Sequence, residues 1–188
     1  MANDRLVIGV AGMPGSGKSL AVKVAVESGY DVVVMGDVVR EEAKKRGLEP
    51  TPTNIGKVML ELRQTEGDNV IAKRCISRIA NAKSQKVLVD GIRSLSEVEE
   101  FRRNFSRFAL IAIHSSPETR FKRLYHRQRS DDPADWKIFN ERDSRELGVG
   151  LGNVMAMAEH MIINEEDFQT AKRRAGETLK KAEEEWKK

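Results

Sequence analysis

Residues 12–19 read Gly-Met-Pro-Gly-Ser-Gly-Lys-Ser, and this spacing of glycine, lysine and hydroxyl suits the wrapping of a phosphate chain. Gly12, Met13, Pro14, Gly15, Ser16 and Gly17 would form a loop whose backbone N–H groups face phosphate oxygens, because small residues let the backbone approach closely. Lys18 brings a cation to the β- and γ-phosphates, and the Ser19 hydroxyl is a ligand for Mg²⁺. The implied ligand is a nucleoside triphosphate, with Mg²⁺ as its cofactor. A second station is Val87-Leu88-Val89-Asp90, an apolar run ending in a carboxylate. There Asp90 would orient Mg²⁺, through a water. Residues 90–93 continue as Asp-Gly-Ile-Arg rather than as a D-x-x-G switch, and no Asn-Lys-x-Asp guanine-reading motif occurs. That argues against a signalling GTPase.

These residues need a scaffold. Apolar runs at 5–11, 31–35, 86–89, 108–113 and 160–163 lack polar alternation, as strands buried on both faces of a parallel sheet do. Stretches of helical period separate them, at 38–46, 54–64, 68–82, 95–104, 117–127, 135–147 and 167–186. Alternation of this kind predicts an α/β, doubly wound five-stranded parallel sheet. Ligands of such sheets bind beyond the carboxyl ends of the strands, where Gly12 onward, Gly36-Asp37, Asp90-Gly91 and Asn164 fall. The whole chain, 1–188, reads as a single domain with a helical insert at about 37–82. The last helix carries a Lys/Glu pattern that reads as a solvated face.

Composition narrows the partners. The net charge is +4, but the arginines between 120 and 145 are interleaved with acids. Aromatic residues make up 5%, too few to stack bases along a strand. A phosphate-rich small molecule is therefore expected rather than a nucleic acid. No apolar run approaches the ~20 residues that span a bilayer, and no basic-then-apolar leader opens the chain, so no membrane partner and a cytoplasmic location are expected. The single Cys75 fits a reducing compartment and reads as a small buried residue. His114, His126 and His160 are spaced too widely for a metal cluster. Arg120 and Arg145 read as surface charges. Nothing here sets an oligomeric state.

Three further segments carry a resemblance. Gly36-Asp37-Val38-Val39-Arg40 follows the second strand, Asp90-Gly91-Ile92-Arg93 the third, and Arg123-Leu124-Tyr125-His126-Arg127 precedes Arg129-Ser130-Asp131-Asp132. Together with the phosphate loop they resemble the nucleoside monophosphate kinases, adenylate kinase above all, over nearly the whole chain. "VVMGDVVREE", "DGIRSLSEVEEFRR" and "RSDDP" resemble, more closely still, an archaeal family of adenylate-kinase-related P-loop proteins. The resemblance implies a P-loop fold of the nucleoside monophosphate kinase type, ATP as phosphoryl donor, and a short lid at about 123–145. Arg40 and Arg93 would clamp an acceptor phosphate, as planar guanidinium groups can. Arg123 would stack on the donor adenine, while Arg127, Arg129 and Arg142 would close over the phosphates. The chain lacks the proline that precedes the strand-three arginine of adenylate kinases, and its cysteine-free lid excludes a zinc-bound one.

Three functions follow. The first is phosphoryl transfer to a phosphorylated or nucleotide-like acceptor, as in nucleoside monophosphate kinases. The second resembles dephospho-coenzyme A kinase, with Asp37 as the base that deprotonates a ribose hydroxyl. The third is an ATP-binding, slowly hydrolysing regulator of a protein or RNA partner.

Overall fold

The three central strands of the computed structural model, which describes residues 3–129 and 132–185, send alternate side chains into two different cores. In β1 (Asn3–Ala11), Val7 faces one side while Leu6, Ile8 and Val10 face the other. In β3 (Lys86–Asp90), Val87 and Val89 oppose Leu88, and in β4 (Phe105–His114), Phe108 and Leu110 oppose Ala109, Ile111 and Ile113. Burial on both faces removes the need for polar alternation, which is why these segments read as continuous apolar runs. With β2 (Asp31–Val34) and β5 (His160–Ile163) they form a parallel sheet in the order β2-β3-β1-β4-β5. The edge strand β5 departs from the expected two-sided burial, since Ile162 enters the core while Met161 and Ile163 stay exposed. Among the described residues the sheet has five strands and the chain nine helices.

Helices α1 (Lys18–Glu27) and α9 (Phe168–Glu185) cover one face through Ala21, Ala25, Ala175 and Leu179. The other face takes α2 (Met35–Lys45), α3 (Pro52–Glu66), α4 (Val70–Ala80) and α5 (Leu95–Asn104). Val39, Leu62, Cys75 and Phe101 from these four helices pack in one core with Val7 and Val87 of the sheet. The helices at the expected insert are therefore continuous with the main core. Cys75 is fully buried, as its surroundings in the sequence predict.

Of the differences from the sequence reading, three bear on the site. Helix α2 begins at Met35, directly after β2, so Gly36 and Asp37 occupy its first turn rather than a loop. A carboxylate there complements the helix dipole. Strand β4 starts at Phe105, because its first residues alternate polar and apolar at the edge of the core. The short helix α8 (Leu151–Ala156) follows α7 (Trp136–Val149) through Gly150, whose φ of 109° is the left-handed conformation that glycine adopts freely. Glycines at 148, 150 and 152 disguise that helix in the sequence. Helix α6 (Pro117–Arg127) lies where expected and is tied to α7 by Phe121, Trp136 and Phe139, whose ring centroids are 5.0–5.6 Å apart. The expected end of α9 at Trp186, and Ser130 and Asp131, lie outside the described residues.

Candidate active site

The phosphate loop bridges β1 and α1, and its glycines are required by geometry. Gly15 (φ 82°) and Gly17 (φ 96°) are left-handed. A Cβ at Gly15 would lie 2.8 Å from the Arg120 carbonyl, and one at Gly17 would collide with the Asn164 amide. At Gly12 a Cβ would meet the Ile113 carbonyl. Met13 is a core residue, and the Ser16 side chain is fully buried. Lys18 Nζ donates to the carbonyls of Gly12 at 2.6 Å and Met13 at 3.3 Å, curling its ammonium over the loop.

The loop is braced from the ends of β4 and β5. Asn164 Nδ2 donates to Ser16 O at 2.8 Å, and Ser115 Oγ donates to Asn164 O at 2.6 Å. Arg123 donates to Ser115 Oγ at 2.8 Å and to Asn164 O at 3.0 Å. Its guanidinium thus lies beside the loop, on the cleft wall.

That cleft, of about 370 Å³, joins Pro14, Gly15, Gly17, Lys18 and Ser19 to Asp90, Arg93, Arg123, Arg127, Arg129 and Arg142. Burial lowers the Lys18 pKa to about 8, with the Asp90 charge opposing the shift. Burial likewise raises the Asp90 pKa, with Lys18 opposing. Asp90 Oδ1 is buried and receives no hydrogen bond among the described residues. An unsatisfied buried carboxylate oxygen is costly. Asp90 and the exposed Ser19 hydroxyl line the same cleft, and hard oxygen donors of this kind suit Mg²⁺.

Arg93 is held in the cleft by local structure. Ser94 caps α5 in a capping box with Glu97, and Glu97 Oε2 also accepts from Arg93 N at 2.8 Å. Buried Glu97 is in turn paired with Arg63 at 2.7 Å. On the opposite wall Asp132, with its side chain 3% exposed, accepts from Arg127 at 2.6 and 2.9 Å and from Arg129 N at 2.9 Å. Arg142 approaches the same carboxylate at 3.7 Å. These bonds, that from Arg127 foremost, hold the Asp132 pKa below the usual carboxylate range. The Asp132 carboxylate therefore draws together the side chains of Arg127 and Arg142 and the backbone of Arg129.

Asp37 and Arg40 are placed differently. They pair with each other across one helical turn, both about half exposed, and neither lines the cleft.

Arg120 corrects the sequence reading. Expected at the surface, it is 4% exposed. It forms a bidentate pair with Asp143 of α7, donates to Ser115 O and Pro14 O at 3.2 Å each, and lies 4.9 Å over the Phe139 ring. Its i+3 spacing from Arg123 on α6 places both toward the loop, which was the available signal. Arg145 is exposed, as expected. Glu146, absent from the sequence reading, lines the cleft and lies 3.5 Å from Arg93.

The β2-β3-β1-β4-β5 sheet and its cleft define a P-loop protein with a kinase-like fold. A family model described as an AAA domain matches residues 11–137, more than half of the chain. The chain belongs to the UPF0200 protein family. It is 49% identical over 173 residues to a member from Hyperthermus butylicus, covering 90% of this chain and 92% of the relative. A member from Methanocaldococcus jannaschii is 50% identical over 166 residues, covering 87% and 84%. Among solved structures, a gluconokinase from Sinorhizobium meliloti aligns over 97% of this chain and 96% of its own, with a TM-score of 0.59 and 17% identity. A shikimate kinase from Acinetobacter baumannii, in complex with shikimate, covers 94% and 92%, with a TM-score of 0.56 and 14% identity. At such identities the likeness is one of fold. No described helix is long and apolar enough to cross a membrane.

Proposed function

We propose that this protein transfers the γ-phosphoryl group of Mg²⁺-ATP to a small-molecule acceptor, with a donor half like that of adenylate kinase. The observation that carries this reading is the single cleft in which the phosphate loop, Asp90 and arginines from three separate segments converge. A simple nucleotide-binding loop needs no second set of cations, whereas phosphoryl transfer depends on positioned charge at both ends of the reacting phosphate.

In this reading Gly12 to Gly17 wrap the β-phosphate with backbone N–H groups, and Lys18 tracks the transferring group. Ser19 and Asp90 would hold Mg²⁺, which neutralises charge between the β- and γ-phosphates. Arg123 flanks the donor. Arg127, Arg129 and Arg142, gathered around Asp132, would contact the phosphates as the lid closes and excludes water. Arg93 faces the acceptor side, with Asp37 and Arg40 one helical turn beyond β2. Gluconokinase and shikimate kinase, similar to this chain in fold, are named for small-molecule acceptors.

The test is incubation with Mg²⁺ and γ-labelled ATP against nucleoside monophosphates, dephospho-coenzyme A, nucleosides and polyols. Label moves to at least one compound. A folded, ATP-binding protein that labels none of them would refute the proposal.

A further inference from the structure

The cleft contains an acid that phosphate binding does not call for. Glu146 of α7 lies on the cleft wall with its side chain 15% exposed, Oε2 3.5 Å from Arg93 Nε. Its charge reaches the Lys18 ammonium and favours the charged form of that lysine. Lys18 of a phosphate loop marks the β- and γ-phosphates, so Glu146 faces the place where the reacting group sits.

We infer that Glu146 is the base for the acceptor, and that the accepting group is a neutral hydroxyl rather than a phosphate. The inference rests on the phosphotransferase reading above. Two observations separate it from the alternatives. First, charge on the acceptor side is matched: Arg40 pairs with Asp37, and Arg93 with Glu146. A dianionic acceptor phosphate would meet no surplus there and would face two carboxylates.

Second, a base is needed for one acceptor class only. A phosphate monoester is already anionic at neutral pH, its second pKa being about 6, and attacks without losing a proton. A hydroxyl must lose one as it attacks. Asp37 is the other acid on this side, but it is 47% exposed, engaged by Arg40 and outside the cleft lining. Glu146 is the better placed.

In the step itself, the acceptor O–H proton passes to a Glu146 carboxylate oxygen as the acceptor oxygen bonds to Pγ. The bond between Pγ and the β,γ-bridging oxygen breaks, its electron pair leaves on ADP, and Glu146 then releases the proton to solvent. Arg93, 3.5 Å away, holds Glu146 aimed at the cleft between turnovers.

Water is the simplest hydroxyl acceptor and glycerol a soluble alcohol, so both serve as probes. Single-turnover cleavage of Mg²⁺-ATP is measured for wild type, Glu146→Gln and Glu146→Asp, with nucleotide affinity and Mg²⁺ dependence in parallel. Glu146→Gln should bind Mg²⁺-ATP within about twofold of wild type yet cleave it about a hundredfold or more slower, the usual loss on removing a general base. Glu146→Asp keeps the charge and should retain about a tenth or more of the rate; it also covers the case in which the glutamine variant does not fold. Wild-type cleavage by Glu146→Gln would overturn the inference, and so would a parallel loss of Mg²⁺ affinity, which would make Glu146 a metal ligand. Phosphorylation of AMP by Glu146→Gln at the wild-type rate would overturn it while leaving the phosphotransferase reading intact. Wild type that binds ATP but transfers to no probe and no compound of the acceptor panel would remove both.

Discussion

Replacing Arg120 tests whether the phosphate loop and α7 are held together by one buried charge. Arg120→Met strands the Asp143 carboxylate, which is 15% exposed, and leaves the carbonyls of Ser115 and Pro14 without their donor. Breaking a buried pair from one side costs about 3–5 kcal/mol, and the Phe139 contact adds up to about 1–2 kcal/mol. For a chain of this size about 4 kcal/mol lowers the melting temperature by roughly 8–16 °C. Arg120→Met/Asp143→Leu removes both charges together and should cost clearly less than the two single substitutions added, because neither charge is then stranded. Denaturant unfolding followed by circular dichroism measures all four proteins. A coupling energy of about 2 kcal/mol or more is expected. Single substitutions each below about 1 kcal/mol that simply add, as exposed pairs do, would refute the reasoning and return Arg120 to the surface role its sequence suggested.

Other outcomes follow from the same geometry. Lys18 loses its proton near pH 8 without nucleotide, whereas phosphate favours the charged form. Nucleotide affinity measured by calorimetry should therefore fall about tenfold between pH 7 and 9 with uptake of about one proton. Lys18→Ala should flatten that dependence, and an equally steep slope in the variant would disprove the assignment. Gly17→Ala should abolish nucleotide binding, since it forces both a left-handed alanine and a collision with Asn164; retained affinity in equilibrium dialysis would contradict the loop geometry. Burial pushes the Cys75 thiol up to about 12, so a thiol reagent at pH 8 should label it at the rate of unfolding, and prompt labelling of the native protein would show an accessible thiol. Ser94→Ala should cost about 1 kcal/mol by opening the α5 capping box, read as a shift in the urea midpoint; an unchanged midpoint would count against the box.

The central strands were legible because burial on both faces leaves an unmistakable apolar run. The loop at 12–19 was legible because its chemistry is local, with backbone, lysine and hydroxyl adjacent in the chain. What lay hidden depends on distant pairing. Arg120 and Asp143 are 23 residues apart, and an arginine at helical spacing among charged neighbours looks solvated until α7 folds over it. Glu146 escaped notice for a similar reason, as it pairs with Arg93 of the loop after β3, 53 residues away in the chain. Helix α8 was concealed by glycines that read as a turn and serve as its boundary.

The brace beneath the phosphate loop has a consequence in time. Asn164, at the end of the edge strand β5, hydrogen-bonds Ser16 of the loop between β1 and α1. The phosphate loop is thus braced by a residue far along the chain. During synthesis residues 12–19 leave the ribosome early, but they lack their support until β5 has emerged and α9 has covered the adjoining face. The loop's brace therefore forms only after a segment 148 residues further along has joined the sheet.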